Sequence, residues 1–332
     1  MCHHPARTGG VVLEERQVRD PRAEATALLP VGHEARVLEP SPPASVDPEW
    51  YADDPTDPTG ARGSVVTPIA GEGILWQTIV DKFPELGGYA SGHWLTSPTR
   101  LPPLPARFAA TRDSLHRVAF FALAPKRYAA TGKLGLRYTH GGFGTPFFGH
   151  DEQVRVEGRE LIHQTRDGVA STVLSTLGQA CDFLGIPYRD SWYEGFRDPL
   201  VPSGPTVPLV VDEKVAAAIG DWFGFATLVL ERLRRLPGAE DVSRVQLWPE
   251  HFDVAIEIGS ADNGHRASYG ASLGDSHHPE PYFYVAPGSE QDPDDLYWNA
   301  PSFKGASLSY GELLSVANPA AAALAFLERG HA

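Results

Sequence analysis

The chain has 332 residues, of which 42% are hydrophobic and 21% are charged, a composition typical of globular proteins. The formal net charge of −14 argues against binding to nucleic acid or to an anionic membrane, because both attract positive surfaces. Two cysteines, no secretory leader and no long apolar run predict a cytoplasmic protein without a disulfide framework or a membrane span.

The first 64 residues predict an irregular N-terminal extension. They are rich in Pro and charged residues and show little apolar periodicity. Trp50 and Tyr51 interrupt this polarity, and they either clip the segment onto the body or lie in a solvated tail. The globular part begins near Val65 with a short amphipathic helix that ends at Pro84.

Residues 65–190 predict a first helix–sheet–helix half. Thr111 predicts the start of a helix that ends at Pro125. Alternating apolar residues then predict strands and an antiparallel hairpin that turns at Gly158. After Gly168 the spacing becomes helical. The predicted helix has an apolar stripe formed by Val173, Leu174, Leu177, Cys181 and Leu184.

A connection at residues 191–211 precedes a second half at residues 212–332, in which the same plan returns. Asp212 predicts the N-cap of a long amphipathic helix, and strands follow, of which the clearest is the alternating run at 252–258. Asn318 predicts the start of a final helix. The predicted fold class is therefore α+β, with two similar helix–antiparallel sheet–helix halves packed together.

Short motifs stand in a fixed order over residues 111–329. They are Leu115-His116-Arg117, Gly144-Thr145-Pro146, Asp167-Gly168, Phe252-Asp253-Val254-Ala255, Ser268-x-Gly270-x-x-x-Gly274, Glu280-Pro281 and Phe283-Tyr284. In this order they resemble an uncharacterised, mainly actinobacterial family that is catalogued as a domain of unknown function. The resemblance implies the two-halved architecture, and it implies no activity, cofactor or substrate.

The segment from Gly274 to Tyr284 combines imidazoles with carboxylates, which are the usual ligands of zinc and other transition metals. His277 and His278 are adjacent, however, so an extended chain points them to opposite faces, and their spacing matches no standard zinc motif. An ordinary polar loop is therefore favoured over a metal site, and the sequence identifies no cofactor.

A glycine-rich stretch follows His140 and allows either tight turns or a close approach of the backbone to a ligand. It lacks the Gly-Lys-Ser/Thr sequence that ends a phosphate-binding loop.

His116 lies on a helix with one apolar face and is interpreted as a structural histidine rather than a catalyst. Cys181 on its apolar stripe is interpreted as a core thiol.

These patterns leave three function classes open: a small-molecule-binding protein, an enzyme, and a protein-interaction module, in that order. The first places a ligand in a cleft between the two halves, where the Gly141–Pro146 loop meets the Ser268–Tyr282 segment. The catalytic residues and the oligomeric state stay undetermined. The candidate ligand-binding residues are His140, Phe143, Asp253, His278, Glu280, Tyr282 and Tyr284.

Overall fold

The computed structural model describes Pro84 and residues 101–331, apart from positions 140, 147, 149–151, 166, 167, 235, 238, 240, 261–265, 276 and 293. These residues form two helix–antiparallel sheet–helix halves, which confirms the predicted α+β fold. The first half contains α1 (Phe108–Val118), a π-helical segment (Ala119–Leu123), α2 (Ala124–Thr131), β1 (Arg137–Thr139), β2 (Gly142–Gly144), β3 (Gln153–Glu157), β4 (Glu160–Thr165), β5 (Gly168–Val173) and α3 (Leu177–Leu184). The second contains α4 (Glu213–Leu233), β6 (Gln246–Trp248), β7 (Asp253–Ile258), β8 (Ala267–Ser272), β9 (Tyr282–Pro287), β10 (Ala306–Ser309), α5 (Tyr310–Leu314) and α6 (Pro319–Arg329).

Each half carries a five-stranded antiparallel meander, in which neighbouring strands follow one another along the chain. The two sheets meet at their first strands. Leu136, just before β1, pairs with Leu247 of β6 through two backbone hydrogen bonds of 2.7 and 2.9 Å. The ten strands therefore lie edge to edge, with the seam between β1 and β6.

Helix α4 crosses this seam and closes it on one side. Asp212 caps the helix by accepting the backbone N–H groups of Lys214 and Val215, as the sequence predicted. Gly220 lies directly on the backbone of the β1–β2 turn, where a Cβ atom would come within 2.7 Å of the carbonyl carbon of Gly141. The helical side of the seam is therefore filled by packed backbone and side chains.

The first helix differs from its prediction at both ends. It begins at Phe108, after Arg107 in the left-handed conformation, and it continues through Pro125 to Thr131. The predicted boundaries at Thr111 and Pro125 are therefore wrong. The π-helical segment just before Pro125 widens the turn, and such widening lets a helix accommodate a residue that cannot donate an i→i−4 hydrogen bond.

The segment after Gly168 is also corrected, because residues 168–173 form strand β5 and not the first turns of a helix. Six residue pairs join β5 to β4, from Thr165–Gly168 to Glu160–Val173. Helix α3 begins only at Leu177, where the hydroxyl of Thr176 accepts the backbone N–H of Gln179. Pairing with a neighbouring strand has overridden the local helical spacing.

The connection between the halves packs along the first half. The backbone N–H groups of Val210 and Asp212 donate to the hydroxyls of Ser114 and Thr111 at 3.0 and 2.9 Å.

No helix in the described part of the chain is both long and apolar enough to span a membrane. The predicted N-terminal extension, including Trp50 and Tyr51, and the helix expected before Pro84 lie outside the described residues.

Candidate functional site

Strand β7 separates apolar and polar side chains onto the two faces of the second sheet. Val254, Ile256 and Ile258 point into the hydrophobic core. Because side chains alternate along a strand, Asp253 and Glu257 lie on the opposite face. Asp253 is nevertheless only 5% exposed, so its carboxyl group is buried outside the apolar core.

The register of the sheet brings two tyrosines toward Asp253. Asp253 pairs with Ser272, and Ser272 pairs with Tyr282, so these three residues form one row across β7, β8 and β9. Tyr284 pairs with Gly270, which has no side chain, and the ring of Tyr284 occupies the space above it. The Tyr284 hydroxyl donates a hydrogen bond to Oδ2 of Asp253.

The environment of Asp253 favours the neutral form of its carboxyl group. Burial raises the pKa of Asp253, and burial together with the neighbouring Asp253 raises the pKa of Tyr284 well above its usual value. The second carboxyl oxygen, Oδ1, is buried and has no hydrogen-bond partner. A missing hydrogen bond at a buried acceptor costs about 1–3 kcal/mol, which a ligand that donates to this oxygen would recover.

Aromatic rings surround the polar pair. His278 packs on Tyr282 with ring centroids 4.5 Å apart, and Tyr282 lies 6.3 Å from Tyr284. Phe303, from the loop before β10, completes the group at 6.1 Å from Tyr284 and 6.4 Å from His278. We call these four residues, together with Asp253 and Ser272, the Asp253 cluster.

The loop after β8 holds His278 over the cluster. Oδ1 of Asp275 accepts the backbone N–H groups of His277 and His278 at 2.6 and 2.8 Å. Partial burial raises the pKa of Asp275, but these hydrogen bonds outweigh that effect, so the pKa lies below its usual value. Gly274 has a φ of 90°, and a Cβ there would collide with the backbone of Glu280, so glycine is required at this turn. The Nε2 atom of His278 is buried without a partner.

The residue before Asp253 has an unfavourable backbone conformation. Phe252 has a φ of 53°, a left-handed value that aromatic residues rarely adopt. Its ring is held between His116, whose parallel ring lies 5.1 Å away, and the rings of Phe143 and Phe223 at 5.0 and 5.2 Å. Strain of this kind costs about 1–3 kcal/mol and is concentrated at functional sites.

The turn between β6 and β7 is fixed from both sides. Nε2 of His116 lies 2.9 and 3.1 Å from the carbonyl oxygens of Pro249 and Glu250, so this nitrogen carries a hydrogen and donates it. The Glu250 carboxylate accepts the backbone N–H groups of Arg197 and Asp198 at 2.9 and 2.8 Å. Desolvation by burial lowers the pKa of His116 to about 4, which agrees with its interpretation as a structural histidine.

The structure brings together four of the seven candidate residues, namely Asp253, His278, Tyr282 and Tyr284. Phe143 is separate, because it lies in the apolar core on the face that packs against α4. Glu280 is exposed on the loop before β9, and His140 lies outside the described residues.

The Gly141–Pro146 and Ser268–Tyr282 segments were expected to meet at the ligand site. For the strands that they contain, β2 and β8, this prediction is wrong. Strands β2 and β8 are separated by β1, β6 and β7, which places them roughly 19 Å apart at the usual strand spacing. Ser272 and Phe303 were not predicted as members of the site. The alternation of β8 could have identified Ser272, but no local pattern marks Phe303.

The described residues contain no group of three or more His, Cys, Asp or Glu side chains arranged to hold a metal ion. Comparisons with models of known families, with curated proteins and with solved structures find no significant match to this chain. The chemistry of the Asp253 cluster therefore has to be inferred from its own atoms.

Proposed function

We propose that this protein binds a small molecule at the Asp253 cluster, through a nitrogen that donates a hydrogen bond to Asp253. The observation that carries the proposal is the Oδ1 atom of Asp253, a buried acceptor without a partner. The strained backbone of Phe252 next to it is a second, independent sign of a functional position.

The chemistry of the cluster favours a cationic ligand or an N–H donor that carries apolar surface. A carboxyl group flanked by two tyrosines, a phenylalanine and a histidine combines a group that ionises beside a bound cation with aromatic faces, which also attract cations. The net charge of −14 would attract the same class of ligand over a longer range. An amine, an amidine or a protonated nitrogen heterocycle fits this description.

The raised pKa of Asp253 makes the proposal sensitive to pH. A bound cation favours the ionised carboxylate, so a protonated Asp253 should release its proton on binding. Isothermal titration calorimetry in buffers of different ionisation enthalpy measures this release. An equal apparent enthalpy in all buffers would contradict proton-linked binding.

The first test is native mass spectrometry of the purified protein, followed by titration with a panel of amines and matched neutral amides. Asp253→Asn and Tyr284→Phe should weaken amine binding at least about tenfold, because each removes a charge-assisted hydrogen bond. Glu257→Gln is the matched control, since this carboxylate lies on the same face of β7 and is already paired with Arg266 at 2.6 Å. The absence of any ligand, or equal effects of all three variants, would reject the proposal.

Two other functions stay as proposals. An enzyme is favoured by the Tyr284–Asp253 pair, which could exchange a proton with a substrate, and a ligand recovered in altered form would identify it. A protein-interaction module would retain a protein partner at the aromatic rings instead of a small molecule. The location in the cytoplasm and the remote relation to the domain family are proposals too, and they rest on the sequence alone.

A further inference from the structure

A second candidate site lies in the first half, away from the Asp253 cluster. Helix α2 and the loop after α3 enclose a partly open cleft of about 270 Å³. Phe121 and Tyr128 line it from the helical side, and Ile186, Pro187 and Trp192 line it from the loop. Its walls are mainly apolar, as is usual for small-molecule sites.

The walls of the cleft are held in place by ring contacts. Trp192 packs against Tyr128 and against Phe120, with centroid distances of 5.7 Å in both pairs. Phe121 belongs to the π-helical segment, a type of distortion that occurs frequently at functional sites. The cleft is thus a preformed feature of the fold, because its rings are held by each other and by Phe120, which does not line it.

One charged group at the cleft has no ion-pair partner among the described residues. Arg189 is exposed and lines the cleft, and it forms no ion pair within that part of the chain. A ligand that pairs with Arg189 must carry an acceptor, and the guanidinium of an arginine prefers a planar anion.

The volume limits the size of the ligand. A cavity of about 150 Å³ accommodates benzene, and small-molecule sites usually measure roughly 300–1,000 Å³. A cleft of about 270 Å³ lies between these values. It has room for one or two fused rings with a short polar group.

We propose that this cleft binds a small aromatic carboxylic acid, with its rings on the apolar walls formed by Phe121, Tyr128 and Trp192 and the carboxylate at Arg189. This site is independent of the Asp253 cluster, so the two proposals can succeed or fail separately.

The test is titration of the full-length protein with 2-naphthoate and its neutral amide, 2-naphthamide, followed by calorimetry or ligand-observed NMR. We expect saturable binding of the acid with a Kd near or below about 1 mM. Arg189→Gln should weaken binding of the acid by about fivefold and leave the amide unchanged, since an exposed ion pair contributes up to about that factor. Arg159→Gln, an exposed arginine on the β3–β4 turn, is the matched control.

A second pair of variants tests the position of the ligand. Ala129 is exposed and lines the cleft, so Ala129→Leu should block binding without disturbing the core. Ala130→Leu, one residue further along the same helix, should bind as the unmodified protein does. Asp253→Asn should also leave 2-naphthoate binding intact.

Three results would overturn the proposal. The first is no saturable binding of either compound, and the second is binding that Ala129→Leu does not reduce. The third is equal affinity of the unmodified protein for the acid and the amide, which would reject the carboxylate as the recognised group.

Discussion

At the scale of single residues, His116 shows how a buried imidazole fixes the turn beside Asp253. The pKa of His116 in the folded protein is about 4, compared with 6.5 for a free imidazole. The unfolded chain therefore binds more protons between these values, and stability is lost as the pH falls from about 6.5 toward 4. The loss should reach about 1–3 kcal/mol.

Urea denaturation between pH 4 and pH 8 measures this effect. His116→Gln keeps a side-chain N–H donor for the carbonyl groups of Pro249 and Glu250 but cannot be protonated, so it should flatten the pH dependence. The control variant His331→Gln, near the end of the described chain, should retain the dependence. An unchanged slope in His116→Gln would show that other groups cause it.

Residue-scale reasoning predicted part of the site and missed the rest for physical reasons. Asp253, Tyr282 and Tyr284 come together because they share one face of an antiparallel sheet, on strands that flank β8, and alternation reveals that face from sequence. Phe143 was misplaced because its neighbours are glycines, which hide the alternation of β2. Phe303 reaches the cluster from a loop, where no periodicity exists.

At the scale of elements, the junction between α1 and α2 shows how the fold accommodates Pro125 within a helix. Proline has no N–H group to donate to the carbonyl of Phe121, four residues earlier. The thiol of Cys181 on α3 donates to that carbonyl at 3.4 Å. Burial raises the pKa of Cys181 to about 11, so the thiol keeps the hydrogen that it donates. This contact lies between distant parts of the chain, which is why the sequence predicted a helix end at Pro125.

A pair of substitutions at Cys181 tests this contact. Cys181→Ser replaces the thiol with a hydroxyl group that can still donate. Cys181→Ala removes the donor and leaves a side chain slightly smaller than serine. We expect the alanine variant to be less stable than the serine variant by about 1 kcal/mol, the usual contribution of one hydrogen bond. The difference follows from the midpoints of urea denaturation at equal slope. A more stable alanine variant would show that only packing matters at this position, as for an ordinary buried apolar site.

At the scale of the whole molecule, the two halves share one core. The Leu136–Leu247 bridge joins their sheets, and α4 from the second half packs on β1 and β2 of the first as well as on β7 and β8. The sequence predicted two similar halves because each has its own pattern of helices and strands. It could not predict the seam, since one pair of leucines carries no signature of its partner. The described part of the protein should therefore unfold as one cooperative unit.

Gly220→Ala tests this cooperativity at the seam. The added methyl group would lie 2.7 Å from the carbonyl carbon and oxygen of Gly141, and backbone atoms on both sides leave little room to relax. We expect a loss of about 1–3 kcal/mol, the usual cost of overpacking. Gly311→Ala is the control, because a Cβ at Gly311 meets nothing within 4 Å and lies on an exposed helix, so this variant should be unchanged or slightly more stable.

The outcome that distinguishes one unit from two is the distribution of the destabilisation. Hydrogen exchange of Gly220→Ala should show that amides of β4 and of β8, on either side of the seam, lose the same amount of protection. Circular dichroism and tryptophan fluorescence should give a single shared transition in urea. Loss of protection in one half alone, or two separate transitions, would mean that the halves are independent domains.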